Sequence, residues 1–449
     1  MRLYPGGGIK LKNRYDTIIV GAGPAGMTAA IYIEEGRGKW KEKPSHSSPA
    51  RYNRAGRTLL LEKDDRVGRK ILVTGNGRCN ITNLDQKPEY YRSDAPGKAW
   101  SIFLQFNETQ ILALMKKLGI LTKDRQGYVY PYNDQASTVR EAFEKYLQSF
   151  PGLSIRTGHR VKRLKWDPAS KLFEVKTASE GEIQSFFAPT VIIATGGFAG
   201  VPAGAGGDGF RFAGKAGHSL VPPEPALTSL CSRAPFLKKL AGVRCRAAVT
   251  LLVGDEAVYK EEGEVQWTDY GISGVVVFSL SRFAVRALKE KKQVSVSLDL
   301  MPDLSKNQLF HLLKEFRDNC GYKDGPALLN GLLSSRLSPV ILREARIKEN
   351  CKGGDWNDED IRRLVEAVKG FILRIHDHKS YEKAQVTMGG VPLDELTDRL
   401  ESVFLPGLFF AGEVVDVDGT CGGYNLSWAF ASGKAAGMGV KHRLMDHCK

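Results

Sequence analysis

The chain has 449 residues, of which 42% are hydrophobic and 26% charged, an ordinary balance for a soluble globular protein of two or three domains. No apolar run reaches the roughly 18 residues that a membrane span needs, and the basic residues 1–15 lack the apolar core of a secretory signal. The seven cysteines include no C-x-x-C pair, which argues against a zinc site, a disulfide framework and a dithiol redox motif. These features predict a cytoplasmic protein without a membrane partner.

The net charge of +15 permits an acidic partner. Much of the excess lies in residues 37–57, where seven basic residues accompany one acidic residue, Glu42, among prolines and serines. This composition is typical of a solvated loop inserted between two elements. A contact site for an acidic partner is the alternative.

The chain opens with the pattern strand, turn, helix, strand. Thr17–Val20 is predicted to be a short buried strand, Ala25–Glu35 a helix of small and apolar residues, and Thr58–Glu62 a second buried strand that ends in an acidic residue. Parallel strands joined by a helix form the βαβ unit of α/β proteins.

The turn after the first strand carries the glycine pattern G-x-G-x-x-G. Gly21 permits a tight bend, Gly23 lets the backbone approach a pyrophosphate at the helix N-terminus, and Gly26 allows close helix–strand packing. Glu62, at the end of the second strand, is placed to accept hydrogen bonds from a ribose. It follows Gly26 by 36 residues (62 − 26) where about 20 is usual, and the basic stretch accounts for the excess. An incidental glycine turn is the alternative.

Further elements are predicted as far as residue 197. Asn107–Leu118 and Ser137–Phe150 have helical periodicity, and the second opens on a serine cap. The alternation from Ser154 to Lys176 predicts antiparallel strands, and Thr190–Gly197 a buried strand that runs into glycines.

The central block, about residues 205–385, is predicted to be an insertion because the dinucleotide-type pattern resumes after it. Its first part, to about residue 300, is β-rich and irregular, and residues 303–370 are helical. The elements predicted within it are the strands Ala247–Val253 and Val294–Leu298 and the helices Lys306–Asn319 and Asp360–Leu373.

Residues 68–83, G-R-K-I-L-V-T-G-N-G-R-C-N-I-T-N, form a polar, glycine-rich segment. Such a segment can offer backbone N–H groups, side-chain amides and cations to one anionic ligand. A structural Ω-loop is the alternative. Cys79 within it is interpreted as a packed residue or a backbone-contact position rather than as a catalytic thiol.

A second glycine-rich segment lies near the C-terminus. Phe409–Glu413 is predicted to be a strand that reaches a turn, residues 416–423 a tight polar loop, and Asn425–Gly437 a helix rich in small residues. The helix N-terminus is a second place for negative charge, such as the anionic N1 region of a flavin. A close-packed structural helix explains the small residues equally well, but not the glycines, tyrosine and asparagine at its start.

These segments together resemble the YhiN/BaiN-like flavoproteins, a family of aminoacetone-oxidase-like, FAD-binding NAD(P)/FAD-dependent oxidoreductases. The resemblance covers about residues 16–440, with the basic stretch and the extension to Tyr15 as departures. The motifs that carry it are residues 68–83, V-Y-P-Y-N-D-Q-A-S at 129–137, A-Q-V-T-M-G-G-V at 384–391 and F-F-A-G-E-V-V-D-V-D-G-T-C-G-G-Y-N-L-S-W-A-F-A-S-G at 409–433, with Gly207–Phe210 and Tyr270–Gly274 as further landmarks.

The resemblance implies an α/β fold of the two-dinucleotide-binding-domain flavoprotein type. A Rossmann-like FAD-binding domain made from both chain ends is interrupted by a β-barrel-like domain and a small helical domain. The expected boundaries are an N-terminal extension at 1–15, the FAD-binding domain at 16–204 and 384–449, the β-barrel-like substrate or cap domain at 205–302 and 371–383, and the helical domain at 303–370.

The turn motif and the resemblance together predict one FAD site and no metal site. The residues expected at the cofactor are Gly21, Ala22, Gly23, Ala25, Gly26, Glu62, Lys63, Arg69, Lys70, Gly75, Gly77, Arg78, Cys79, Asn80, Val161, Ala194, Thr195, Gly196, Gly412, Glu413, Gly422, Gly423, Tyr424, Asn425 and Leu426. His376 and His378 are interpreted as solvated or core residues. No catalytic acid or base is assigned, although Tyr130, Tyr132, Tyr270 and Asn425 are candidates for lining a substrate cavity.

The leading functional prediction is an FAD-dependent oxidoreductase that acts on a small organic molecule, by amine oxidation or by NAD(P)H-driven reduction of a conjugated ketone. No second complete G-x-G-x-x-G follows a strand, which argues against a separate nicotinamide-binding domain. NAD(P)H that binds only transiently remains open as an electron donor. One alternative is an FAD-dependent RNA-modifying enzyme, which is disfavoured because no aromatic residues are visibly interleaved with the basic clusters. Another is a flavin-binding redox sensor without turnover.

Overall fold

The computed structural model describes residues 13–38, 57–200 and 206–446. Most of the basic stretch at 37–57, and with it the choice between a solvated loop and a contact site, lies outside the described residues. The chain divides into two compact units, the first made of residues 1–224 and 386–449 and the second of residues 225–385.

Both units contain strands and helices, and in the second unit four α-helices in succession stand between the strands Val294–Asp299 and Phe371–Ile375. The strands are β1 (Thr17–Val20), β2 (Thr58–Leu61), β3 (Thr82–Asn83), β4 (Tyr91–Arg92), β5 (Thr122–Arg125), β6 (Tyr128–Pro131), β7 (Leu153–Arg156), β8 (Arg160–Asp167), β9 (Leu172–Ser179), β10 (Glu182–Ala188), β11 (Thr190–Ile193), β12 (Val221–Ala226), β13 (Leu230–Cys231), β14 (Arg244–Val253), β15 (Glu256–Thr268), β16 (Gly271–Ser273), β17 (Val294–Asp299), β18 (Phe371–Ile375), β19 (Asp377–His378), β20 (Val386–Gly390), β21 (Leu408–Phe410) and β22 (Asp418–Gly419). The helices are α1 (Pro24–Gly38), α2 (Pro96–Leu104), α3 (Glu108–Lys117), α4 (Ala136–Gln148), α5 (Asp208–Lys215), α6 (Leu237–Leu240), α7 (Val275–Lys289), α8 (Lys306–Cys320), α9 (Gly325–Leu329), α10 (Ser338–Glu344), α11 (Asp358–Lys369) and α12 (Tyr424–Asp446).

A five-stranded parallel sheet organises the first unit, in the order β21-β11-β1-β2-β7. Its strands are short, and β1, β2, β11 and β21 are buried throughout, as expected for a parallel sheet covered on both faces. The last strand of the sheet comes from near the C-terminus, so both chain ends build it. The Rossmann-like α/β fold class is confirmed.

Helices α1 and α12 pack against each other more closely than side chains usually allow. A Cβ atom on Gly433 would lie 2.3 Å from the Ala25 carbonyl oxygen, and one on Gly437 would lie 2.8 Å from the Ala29 carbonyl oxygen. The small residues of α12 therefore serve the contact with α1, which is the structural explanation that the sequence left open.

Two local expectations in the first unit are wrong. Residues 153–156 form β7, which pairs in parallel with β2, because the edge of the main sheet accepts them; only β8, β9 and β10 form the expected antiparallel sheet. Helix α4 has Gln135 as its N-cap residue, without a side-chain cap bond, so the serine cap is absent. Helix α3 is confirmed, and its cap Asn107 accepts a hydrogen bond from the Gln110 N–H.

The second unit combines a seven-stranded antiparallel sheet, in the order β18-β17-β14-β15-β16-β13-β19, with helices α6 to α11. Its strands and helices share one buried core, to which Trp267, Val296, Leu313 and Leu364 all belong. The strands at 244–253 and 294–299 and the helix from Lys306 agree with prediction.

Two elements of the second unit differ from expectation. Helix α7 begins with three valines and a phenylalanine, which favour strand when read locally, yet its packing against β15 makes it a helix. Helix α11 ends at Lys369, and Gly370 separates it from β18, so residues 371–373 are strand rather than helix. Among the described residues, no helix is long and apolar enough to cross a membrane.

Candidate FAD site

The turn between β1 and α1 has two glycines that neighbouring backbone requires. Gly21 adopts a φ of 102°, and a Cβ atom there would lie 2.3 Å from the Ala194 carbonyl oxygen. A Cβ atom on Gly26 would lie 1.9 Å from the Gly21 carbonyl oxygen. The Gly21 N–H donates to the Leu61 carbonyl over 2.8 Å, which joins the turn to β2. These two residues shape the turn.

Gly23 differs from both, because a Cβ atom there would meet no heavy atom within 4 Å. The open space lies beside the first turn of α1, where helix N–H groups without intrahelical partners favour an anion. A pyrophosphate that approaches this backbone would occupy the space that a side chain would fill. The turn therefore fits a dinucleotide cofactor such as FAD.

Glu62, directly after β2, forms the second part of the site. One carboxylate oxygen accepts the Ala22 N–H over 2.7 Å, and the other accepts the Asp64 N–H over 3.0 Å. Burial raises the pKa of Glu62, and the two backbone hydrogen bonds oppose that shift. Each oxygen retains a lone pair, so the predicted ribose contact remains available to a carboxylate whose position the turn holds. Lys63 follows it, half-buried.

The segment 68–83 lies against the turn, since the Gly68 N–H donates to the Ala22 carbonyl over 2.8 Å. Residues 69–77 form a 3₁₀ helix with a kink, in which Gly75 and Asn76 are left-handed. Gly77 and Cys79 also have positive φ values, 81° and 61°. The N–H groups of Arg78 and Cys79 donate to the Gly75 and Thr74 carbonyls over 3.2 and 3.0 Å, so the positive φ values close a tight turn within the segment.

Two neighbouring side chains of this segment, Cys79 and Asn80, differ in whether their buried polar atoms suit a ligand. Cys79 is fully buried, and burial raises the pKa of its thiol to about 12. The thiol therefore stays protonated at neutral pH, as expected for a packed residue. The buried Oδ1 atom of Asn80 has no hydrogen-bond partner among the described residues. An unsatisfied buried amide oxygen is costly, so Asn80 is suited to accept a hydrogen bond from a bound cofactor.

The C-terminal segment joins the site through an ion pair. The Lys70 ammonium lies 2.7 Å from a Glu413 carboxylate oxygen, and the other oxygen accepts the Thr387 N–H over 3.1 Å. Gly412 is left-handed, with φ at 77°, and its N–H donates to the Ser432 hydroxyl over 2.9 Å. Two segments that are more than 300 residues apart in sequence are thus held together.

The start of α12 is held against the end of segment 68–83. The Asn83 amide donates to the Gly422 carbonyl over 3.1 Å, and the Thr82 and Ser427 hydroxyls lie 2.7 Å apart. A Cβ atom on Gly423 would lie 2.6 Å from the Thr82 carbonyl carbon. The glycines at the start of α12 are therefore required at least partly by this contact.

The next residues of α12 have their own local partners. The Asn425 side chain accepts from the Gly419 N–H over 2.8 Å and donates to the Gly419 carbonyl over 2.9 Å. Asn425 thus holds the loop before α12 and is not directed at a substrate cavity. The Tyr424 hydroxyl donates to the Asp85 carbonyl over 2.9 Å, and Leu426 is half-buried.

The remaining predicted cofactor residues also lie in the first unit. Ala194, Thr195 and Gly196 follow β11, and the Ala194 N–H donates to the Val20 carbonyl over 2.8 Å. Gly196 has a φ of 69° and open space at its Cβ position. Val161 is buried on β8. The remaining two, Arg69 and Arg78, are exposed.

Sequence reasoning missed Thr387 as a residue of the site. Its hydroxyl accepts the N–H groups of Phe198 and Ala199 over 2.8 and 3.0 Å, and its own N–H donates to Glu413. It thereby ties the segment after β11 to the C-terminal segment. The signal was present, since Thr387 lies in the motif at 384–391, but a threonine that acts through its neighbours has no local pattern.

The tyrosines and histidines that the sequence analysis considered lie in different units of the chain. Tyr130 is half-buried beside Gly75, whereas Tyr132 is 61% exposed. Tyr270 lies in the second unit, where the Lys379 ammonium stands 3.6 Å from its ring centroid. In the same unit His376 is exposed, and the His378 ring hydrogen bonds with the Lys379 carbonyl.

Comparisons with known proteins show the family to which the chain belongs. A family model described as the HI0933-like protein Rossmann domain matches residues 47–439. The chain is 36% identical to a 3-dehydro-bile acid delta(4,6)-reductase of Clostridium scindens, over 95% of this chain and 98% of that protein. It is 28% identical to a ribosomal RNA dihydrouridine synthase of Escherichia coli, over 93% and 96%.

Among solved structures, the chain is similar to a 3-ketosteroid-delta4-(5alpha)-dehydrogenase from Rhodococcus jostii RHA1. The identity is 15%, the TM-score is 0.46, and the match covers 95% of this chain and 96% of that one. At this level the likeness says nothing about a substrate.

Proposed function

We propose a reaction from the premise that the chain belongs to the HI0933-like FAD-binding Rossmann family and is an FAD-dependent oxidoreductase. The proposed reaction is reduction of a carbon–carbon double bond that is conjugated to a carbonyl group in a small organic molecule. The observation that carries the proposal is the 36% identity with a reductase along almost the full length of both proteins. Of the two reactions that the sequence left open, amine oxidation and enone reduction, this observation favours reduction.

The names of the two relatives describe one kind of chemistry. A 3-dehydro-bile acid with double bonds at positions 4 and 6 is a ketone conjugated with those bonds. Uridine becomes dihydrouridine when the double bond beside its ring carbonyl is reduced. In both reactions a hydride adds to the double-bond carbon remote from the carbonyl, and a proton then adds to the carbon next to the carbonyl. An α,β-unsaturated carbonyl is therefore the substrate class that we propose for this chain.

FAD, when bound and reduced, would supply the hydride. Three residues of the chain would position the cofactor. The pyrophosphate would lie against the backbone at Gly23, the Glu62 carboxylate would accept hydrogen bonds from the ribose hydroxyls, and the buried amide oxygen of Asn80 would accept a hydrogen bond from the cofactor. The Lys70–Glu413 pair holds the two cofactor segments together. We propose NAD(P)H as the source of electrons, since a reductase needs a hydride donor.

RNA is a second candidate substrate, and one observation in the first unit favours it. The β5–β6 hairpin places the Lys123 ammonium 5.4 Å from the Tyr132 ring and the Arg125 guanidinium 5.7 Å from the Tyr130 ring. Cations beside aromatic rings are the arrangement that stacks bases and contacts phosphates. The sequence did not reveal this interleaving because the members of each pair are several residues apart.

The test is an anaerobic reduction and reoxidation of the purified, FAD-loaded protein. NADPH or NADH should bleach the flavin absorbance, and a conjugated enone should restore it, whereas the saturated ketone and a primary amine should not. Restoration by a ribosomal RNA transcript but by no small enone would favour the second candidate. If neither substrate restores the colour while an amine bleaches the oxidised protein, the proposed reduction is wrong.

A further inference from the structure

We propose that Tyr130 is the proton donor for the reduction and that Arg125, whose guanidinium lies 5.7 Å from the Tyr130 ring, stabilises the phenolate that it leaves, an inference that rests on the proposed function. Hydride addition alone leaves the substrate as an enolate, so a reductase of this kind needs an acid within reach of the reacting carbon. Sequence reasoning assigned no such group.

Tyr130 lies where both predicted flavin segments meet β6. The Cβ position of Gly75 is 3.6 Å from the Tyr130 ring, and the Cβ position of Gly422 is 3.0 Å from the Tyr128 ring. Residues two apart on a strand share one face. This face of β6 therefore presents two tyrosines, one to segment 68–83 and one to the loop before α12.

The hydroxyl of Tyr130 has no hydrogen-bond partner among the described residues, which distinguishes it from its neighbours. The Tyr424 hydroxyl is bound to the Asp85 carbonyl and the Tyr91 hydroxyl to Gln86. Tyr132 is 61% exposed. A half-buried phenol with a free hydroxyl, at the junction of two cofactor segments, is suited to contact a bound substrate.

The charges around Tyr130 suit proton donation. Burial raises the pKa of Tyr130, with Cys421 and Asp134 acting in the same direction, so the phenol carries its proton at neutral pH. Arg78 and Arg125 lower the pKa, and Arg125 would stabilise the negative charge that appears as the proton leaves. Asp134 pairs with both Arg125 and Lys123 at 2.7 Å, which fixes the hairpin beside the ring.

The step balances as a net addition of hydride and proton. The bound, reduced cofactor would supply a hydride with its electron pair to the β-carbon, where the carbon–carbon π bond breaks, and a reduced nicotinamide would supply the electrons for the next cycle. The Tyr130 O–H bond breaks as its proton forms the new bond at the α-carbon. The phenolate then takes a proton from water, so Tyr130 returns to its starting state and the substrate is reduced by two electrons.

The test compares Tyr130→Phe with Tyr322→Phe, a control at an exposed tyrosine of the second unit. Both FAD-loaded variants are reduced with dithionite, which bypasses the natural donor, and reoxidised anaerobically by an enone that reoxidises the wild type. Tyr130→Phe should retain FAD and its spectrum but reoxidise about 100-fold more slowly or worse and lose the solvent deuterium isotope effect. Tyr322→Phe should behave as the wild type.

Unchanged reoxidation in Tyr130→Phe would overturn the assignment, whereas a wild type that no enone reoxidises would instead overturn the proposed function. A second readout needs no turnover. The difference in ultraviolet phenolate titration between wild type and Tyr130→Phe reports the pKa of Tyr130 in the FAD-free protein. Arg125→Ala should raise that pKa, and an unaltered titration would show that Arg125 does not act on the phenol.

Discussion

The turn at residues 21–26 and the segment at residues 68–83 are both glycine-rich, but they use glycine differently. In the turn, neighbouring carbonyl oxygens forbid a side chain on Gly21 and Gly26, and only Gly23 faces open space. In the segment, Gly75, Asn76 and Gly77 adopt left-handed conformations within an exposed loop. In the turn, Gly26 is constrained by the nearby Gly21 and Gly21 by Ala194 at the end of the adjacent strand, whereas the end of the segment is held by residues about 340 positions away. Glycine is therefore required by close packing in the turn, whereas in segment 68–83 it permits a left-handed backbone.

The largest effect is expected at Gly26, where the comparison assigns glycine to packing. Gly26→Ala would place a methyl group 1.9 Å from the Gly21 carbonyl oxygen, and we expect the free energy of unfolding to fall by about 3 kcal/mol, the upper part of the range for overpacking. Urea denaturation of the FAD-free protein measures this change in the free energy of unfolding. Wild-type stability in this variant would show that the turn can relax and that Gly26 is not a packing residue.

Gly23 should behave in the opposite way, because its surroundings are open. Gly23→Ala should leave the unfolding of the FAD-free protein unchanged but weaken FAD binding by at least about tenfold, equivalent to about 1.4 kcal/mol. Flavin fluorescence during titration of the apoprotein measures the affinity. If FAD binds Gly23→Ala as tightly as the wild type, the pyrophosphate does not lie against this backbone.

Asn80 tests whether the segment is arranged for a ligand rather than for its own stability. Asn80→Leu removes a buried oxygen without a partner, so the FAD-free protein should be as stable as the wild type or more stable, while FAD binding should lose about 1 kcal/mol. Thermal unfolding with and without FAD separates the two effects. Asn83→Leu is the control: its amide donates to the Gly422 carbonyl, and its loss should destabilise the FAD-free protein. Equal destabilisation by both variants would make Asn80 structural.

The smallest effect is expected at Cys79. Because burial raises the pKa of its thiol to about 12, the reactive thiolate is scarce at pH 8 and grows only as the pH approaches that value. Iodoacetamide at pH 8 should modify the half-buried Cys351 well before Cys79, as peptide mapping by mass spectrometry would reveal. Cys79→Ser should keep FAD and reductase turnover within about twofold, since it replaces a packed thiol by a similar group. Rapid labelling of Cys79 in the folded protein would reopen a redox role.

The sequence was informative wherever one local pattern implied one structure. The strand Thr17–Val20 was predicted with its boundaries and the second strand to within one residue, Thr58–Glu62 against the observed Thr58–Leu61, because short apolar runs suit buried parallel strands. Glu62 was placed at the end of its strand for the same reason. Helix α7 was missed because its three consecutive valines favour strand locally, and only its packing on the seven-stranded sheet decides otherwise.

The composition of the candidate site was predictable, but most of its internal contacts were not. Gly412 to Leu426 were chosen from the motif, yet nothing in it indicated that Asn425 holds the Gly419 backbone or that Gly433 packs on Ala25. The motif at 384–391 contains Thr387 but did not indicate its role, since that role depends on Phe198, Ala199 and Glu413 being brought to it.

By itself, the sequence determined the βαβ opening, the glycine turn, the return of the C-terminal segment to the first domain and the family to which these belong. Each depends on residue types at short fixed spacings, where hydrophobic periodicity and backbone sterics act within a few residues. The tertiary structure decided which glycines face open space, why Asn80 has an unsatisfied oxygen and where Tyr130 stands relative to Arg125. These properties arise from contacts between distant parts of the chain, which form only when burial of the common core brings those parts together.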